Sequence, residues 1–170
     1  MNRRSVLGFL GGIGVVALFS RPWSAFSAVQ NNNRENFEVQ MSDDEWKDKL
    51  DADQYRVLRK HGTEAPFTSP LNDEKRAGTF YCAACHNELF KSDTKFNSGT
   101  GWPSFYEPAD QSSVGTTTDY VIGYARTEVH CAKCGGHLGH VFDDGPQPTG
   151  KRYCMNGVAM EFKPDSPSKG

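Results

Sequence analysis

Four of the five cysteines in this 170-residue chain form two pairs of identical spacing, Cys82-Ala83-Ala84-Cys85 and Cys131-Ala132-Lys133-Cys134. The fifth, Cys154, stands alone in Lys151-Arg152-Tyr153-Cys154-Met155-Asn156. A C-x-x-C pair places two sulfurs on one ion from a single tight turn. Four thiolates saturate a tetrahedral zinc and leave no position for water. Cys82, Cys85, Cys131 and Cys134 are therefore expected to hold one structural zinc ion. Two disulfides, a thioredoxin-type redox pair, or iron in place of zinc are the competing readings. Gly135-Gly136, after the second pair, relieves crowding near the metal.

Cys154 is left without a structural partner and is available for chemistry. A cysteine reacts as its thiolate, so its surroundings must favour negative charge. Arg152 is two residues away. On a strand, Arg152, Cys154 and Asn156 project from one face, and Asn156 offers a donor to a substrate oxygen. A buried structural cysteine is the plainer alternative. His137 and His140, in Gly136-His137-Leu138-Gly139-His140-Val141-Phe142, can move protons near neutrality, with structural hydrogen bonding an equal alternative. His61, His86 and His130 are assigned no role. Gly99-Thr100-Gly101-Trp102-Pro103-Ser104-Phe105 sets an exposed indole in a rigid frame. That frame points to a binding surface, with a core tryptophan as the alternative.

The elements that must position these groups are legible in outline. Ser42-Asp43-Asp44-Glu45 is a capping box. Trp46, Leu50, Tyr55 and Leu58 follow and predict one or two short helices to Lys60, with Gly62 as the stop. From Thr79 onward, short β-branched and aromatic runs alternate with turn signals. Strands are expected at Thr79 to Cys82, Asp119 to Ala125, Glu128 to Cys131, His140 to Asp143, Arg152 to Met155 and Val158 to Phe162. The fold class is mainly β (α+β): an antiparallel core behind a small helical segment.

The amino terminus reads as a separate object. Arg3 and Arg4 precede an apolar run from Val6 to Phe19, and Ala25 and Ser27 fit cleavage after Ser27. Residues 1–27 are thus expected to be a signal peptide of twin-arginine type. The run is short for a membrane span, which argues against a stable membrane anchor. An export route to the periplasm follows. An uncleaved anchor or an organelle transit peptide is the alternative. Residues 28–41 read as a linker, 42–164 as the functional domain and 165–170 as a flexible tail. Formal net charge is −2, and the body without its arginine-bearing leader is more acidic still. Nucleic acid is therefore not expected as a partner, because phosphate binding needs concentrated Lys and Arg.

Together these motifs resemble the methionine-R-sulfoxide reductases. The resemblance runs through Tyr81 to Cys85, Ser98 to Phe105, Cys131 to Cys134, Gly136 to Pro146 and Arg152 to Asn156. It implies two antiparallel sheets in a β-tent with a structural zinc away from the active site. It implies Cys154 as nucleophile, Trp102 holding the sulfoxide methyl group, and His140, Asn156 and His137 organising water and hydrogen bonds at the sulfoxide oxygen. Phe142 would complete the apolar wall. Apart from the resemblance, Arg152 is expected to bind substrate because it shares a strand face with Cys154. Oxidised methionine in proteins or peptides would be the substrate, and a thioredoxin-like or other thiol would be the reductant. Many members of the family carry a resolving cysteine where this chain has Thr100, so direct reduction of a Cys154 sulfenic acid by an external thiol is expected. The rival readings are a non-catalytic zinc-ribbon-like binding module and a peroxide-sensing thiol protein.

Overall fold

The computed structural model describes residues 37–120 and 123–166. The expected signal peptide and most of the expected linker lie outside the described residues. Two short helices come first, α1 (Asp43–Lys49) and α2 (Ala52–Lys60). Both begin with a full capping box, Ser42 with Glu45 and Asp51 with Gln54. Each box satisfies amide groups that a helix start leaves unpaired. The helices bury Trp46, Val57 and Leu58 and keep their charged residues outside. His61, not Gly62, takes the left-handed C-cap position, at φ 53°. Phe37 and Val39, within the segment read as linker, lie against the second cysteine turn. The Val39 amide donates to the Lys133 carbonyl at 2.9 Å, and the Phe37 ring meets His130 edge-on.

Nine strands follow: β1 (Gly78–Cys82), β2 (Glu88–Lys91), β3 (Lys95–Phe96), β4 (Ser104–Phe105), β5 (Val114–Asp119), β6 (Arg126–Cys131), β7 (His137–Phe142), β8 (Arg152–Met155) and β9 (Met160–Pro164). They form two antiparallel sheets, one ordered β2-β1-β9 and the other β3-β4-β8-β7-β6-β5. The expected mainly β fold with short helices at its head is the one observed. Arg152 to Met155 matches its expected bounds, and the Glu128 and His140 strands are longer than expected. The strand expected over Asp119 to Ala125 is instead β5, which ends at Asp119, and β6 begins at Arg126. A 3-10 turn over Gly157–Ala159 delays the last strand to Met160.

Aromatic rings fill the space between the sheets. Phe90 stacks on Phe105 at 4.4 Å, and Phe80 meets the same ring edge-on at 4.9 Å. All three are fully buried. Burying one such side chain contributes about 1.5–3 kcal/mol, and each ring pair adds about 0.5–1.5 kcal/mol. This cluster ties β1 and β2 of the smaller sheet to β4 of the larger. It thereby holds β8, the partner of β4, in place.

Candidate active site and four-sulfur cluster

The ends of β1 and β6 bring four sulfurs together. Cys82 closes β1 and Cys131 closes β6, so the cluster links the two sheets. The Cys82 and Cys134 sulfurs are 3.7 Å apart and those of Cys85 and Cys131 are 3.5 Å apart. All four lie within 4.8 Å of one another. A disulfide requires about 2.05 Å. Four sulfurs about 2.3 Å from a tetrahedral ion would be spaced about 3.8 Å from one another. The spacing therefore fits a metal and not two disulfides.

The turns fit as well. The residue after each pair has a left-handed backbone, His86 at φ 56° and Gly135 at φ 65°. The His86 and Gly135 amides donate to the carbonyls of Cys82 and Cys131. A Cβ on Gly135 would lie 2.2 Å from the Phe37 ring. The Asn87 amide nitrogen donates to the Cys131 sulfur at 3.6 Å. Hydrogen bonds from Cys134, Cys82 and Cys85 pull the Cys131 thiol below its ordinary value. Those from Cys131 and Cys134 push Cys82 up. Four thiolates at this spacing would repel one another, and a cation among them would relieve that repulsion.

Cys154 belongs to a different place. It sits on β8, paired with Ser104 on one side and His140 on the other. A cavity of about 130 Å³ opens over it, walled by Trp102, Arg126, His140, Phe142 and Asn156. This is the size of a side-chain tip, well below the roughly 300–1,000 Å³ of pockets for whole small ligands. Behind the thiol, Thr100 Oγ1 lies 3.7 Å from its sulfur. That hydroxyl contacts Ser98 Oγ at 2.8 Å, which contacts Ser104 Oγ at 2.7 Å.

The two histidines engage carboxylates through different ring nitrogens. His140 donates from Nε2 to Asp119 Oδ2 at 2.8 Å, and Arg126 donates to the same oxygen at 2.5 Å. Burial lowers the His140 pKa below its ordinary value, although the Asp119 hydrogen bond opposes this. His137 donates from Nδ1 to Glu128 Oε1 at 2.6 Å and is fully buried. It stands behind His140, ring centroids 5.4 Å apart, and is not on the cavity wall. His61 donates to the same Glu128 oxygen at 2.9 Å and leans on the His137 ring. The other Glu128 oxygen accepts from Thr117. Burial opposes ionisation of Glu128, yet hydrogen bonds from His137 and His61 hold its carboxyl well below the usual range. The Glu128 hydrogen bond raises His61.

Asn156 is buried, with its amide engaged by backbone: Oδ1 accepts from the Glu64 amide and Nδ2 donates to the Leu138 carbonyl, both at 2.9 Å. Among the described residues its second Nδ2 hydrogen has no acceptor. Trp102 is half-buried, not exposed as expected, and its indole donates to the Glu64 carbonyl at 3.2 Å. Arg152 is not on the cavity wall. It forms a two-pronged pair with Asp144, each contact 2.8 Å, and lies 4.4 Å over the Phe142 ring. That pairing raises its pKa. Arg126 Nε is buried with no hydrogen-bond partner among the described residues.

Sequence reading missed Asp119, Arg126, Glu128, Glu64 and His61. The first three come from strands β5 and β6, whose register sets Asp119 opposite Arg126 and Glu128 opposite His140. Charged residues on strands carry no periodicity signal of their own. Pairing alone brings them to the site.

A lone thiol in a small walled cavity, with a histidine–carboxylate pair beside it and a separate four-cysteine clasp, defines a thiol-based oxidoreductase on an antiparallel β scaffold. The SelR domain family matches residues 50–164. Proteins called peptide methionine sulfoxide reductase MsrB align across most of the chain. That of Leptospira interrogans serovar Lai is 53% identical over 128 residues, covering 75% of this chain and 98% of that protein. That of Pseudomonas putida is 57% identical over 121 residues, covering 71% and 91%. That of Methanosarcina barkeri is 53% identical over 131 residues, covering 77% and 92%. The chain belongs to the MsrB family of peptide methionine sulfoxide reductases.

Proposed function

We propose that this protein reduces methionine-R-sulfoxide in polypeptides to methionine, using Cys154 as the nucleophile. One observation carries this reading. Cys154 alone among the cysteines opens on the walled cavity, while the other four sulfurs occupy a separate cluster.

The residues divide the work. The sulfoxide methyl group rests on Trp102 and Phe142, and the sulfoxide oxygen faces Arg126 and the spare Asn156 hydrogen. Neutral His140 accepts the Cys154 proton at Nδ1, since its Nε2 hydrogen is engaged by Asp119. The imidazolium that forms is stabilised by that carboxylate, as in other nucleophile–base–carboxylate arrangements. The Cys154 sulfur attacks the sulfoxide sulfur, forming an S–S bond while His140 returns the proton to the sulfoxide oxygen. The S–O bond then breaks as that hydroxyl moves to the Cys154 sulfur, and the S–S bond breaks with its electron pair going to methionine. In net terms methionine sulfur gains two electrons and loses oxygen, while Cys154 becomes a sulfenic acid bearing the transferred oxygen and the proton. Two external thiols then reduce the sulfenic acid, giving a disulfide, one water that carries away the oxygen, and the restored Cys154 thiol. His137 and Arg152 act as positioning residues, His137 behind His140 and Arg152 over Phe142.

Zinc is the fitting occupant of Cys82, Cys85, Cys131 and Cys134, where it would supply a closed structural tie between the sheets. Oxidised proteins outside the cytoplasm are the proposed substrates. The arginine-headed leader supports export to the periplasm, and amino-terminal sequencing of the mature protein tests it.

Thiol-dependent turnover of a peptide carrying each resolved sulfoxide epimer tests the reading. Turnover of the R epimer alone, lost in Cys154→Ser, is the expected result. Activity retained in that variant refutes it.

A further inference from the structure

Phe67 combines two features that rarely meet in one residue. Its side chain is 73% exposed, the most open of the large apolar residues described. Its backbone has φ 65°, a left-handed conformation that is a genuine outlier for a bulky residue. Such strain persists only where the surroundings enforce it, and it gathers at ligand clamps and active sites. Here the enforcing contact is visible. The Phe67 amide donates to the Gly101 carbonyl at 2.7 Å, next to Trp102. Gly101 itself is at φ 95°, and a Cβ there would lie 2.9 Å from the Phe67 nitrogen. The two loops are thus built to press together, and the result is a phenyl ring standing in water.

A groove of about 440 Å³ lies beside that ring. Phe67, Phe96 and Trp102 supply an apolar wall, and Asp73, Glu74, Lys75 and Lys95 a charged rim. Lys95 is committed to the Asn72 carbonyl at 2.8 Å, which fixes that part of the rim. Trp102 walls both this groove and the Cys154 cavity. The cavity accepts a side-chain tip only, and a polypeptide that bears this tip and runs over the shared Trp102 wall is carried onto the groove. A neighbouring residue, about 3.4 Å per position along an extended chain, then arrives over the groove.

We propose that the Phe67 groove is the docking surface for the polypeptide flanking the oxidised methionine, and that it favours an apolar side chain beside the sulfoxide. This rests on the proposed reduction at Cys154.

The test compares two substrates in the full-length protein: free N-acetyl-methionine-R-sulfoxide amide, and a short peptide with leucine or phenylalanine on both sides of the sulfoxide. Phe67→Asn is the variant of choice, because asparagine accepts a left-handed backbone while removing the ring. Phe67→Gly is the second variant, and thermal melts confirm that both fold. The expected result is a rise of about tenfold in KM for the peptide, the effect of losing one aromatic contact. Unchanged kinetics with the free amide are expected alongside it. Unchanged KM for the peptide, or an equal loss on both substrates, overturns the groove assignment. A parent protein inactive on both substrates refutes the Cys154 reading instead, so the two failures are distinct.

Discussion

Truncating Asn156 to alanine separates its architectural from its chemical duties. The side chain is 3% exposed. Its Oδ1 is the acceptor for the Glu64 amide, and its Nδ2 is a donor to the Leu138 carbonyl. Removing it strands a buried amide hydrogen, which costs about 1–3 kcal/mol. The Leu138 carbonyl keeps the Asn156 backbone amide at 2.8 Å, so its loss is smaller, about 1 kcal/mol. The sum is about 3 kcal/mol, or about 10 °C in Tm for a domain of this size. Glu64 is also the residue that anchors Trp102 through its carbonyl and grips the Gly157 and Val158 amides through its carboxylate. Loosening it should unseat the indole and raise KM beyond the loss of any donor to the sulfoxide. Thermal and urea melts of the metal-loaded protein, with equal urea dependence in both proteins, read the stability change. A Tm within about 3 °C of the parent's would refute the claim that the Asn156 amide pins these segments.

Other perturbations address the remaining parts of the site. Asp119→Asn should lower kcat about 10–100-fold with little change in KM, measured with the free amide substrate. In the parent, activity should fall on the acid side through a pH below 6.5, where the burial-lowered His140 gains its proton. A second pH effect acts on stability. The Glu128 contact raises His61 above its unfolded value, so its contribution is full below about pH 6.5 and disappears as pH rises through the folded value. Glu128→Gln should flatten that dependence in urea melts across this range. Cys131→Ser should abolish tight zinc binding and lower Tm, read by metal analysis and calorimetry on one sample. After a single turnover without reductant, alkylation and mass spectrometry should find Cys154 as a sulfenic acid and in no intramolecular disulfide.

The parts of this protein written in local spacing were legible before any coordinates. The C-x-x-C pairs and the strand around Cys154 announce themselves within a few residues, and so do the first capping box and the helix end at Lys60. Strand β5 did not. Val114-Gly115-Thr116-Thr117-Thr118-Asp119 is an edge strand whose threonines face water, so it lacks apolar alternation. The apolar run just after it drew the expected strand forward. Strands β3 and β4 are two residues each, too short to show a period. Trp102 was expected to stand free, and only the fold brings Glu64 to its indole. His61 looked idle for the same reason: its partner Glu128 is far along the chain. Residues that act through long-range register are invisible to a reading that advances residue by residue.

The clasp joining the sheets is unevenly shielded. Cys82, Cys131 and Cys134 are buried, while Cys85 is partly open to solvent. Peroxide and hypohalous acids, the agents that create damaged methionines, also oxidise cysteine sulfur. Their point of entry is Cys85, on the turn that follows β1.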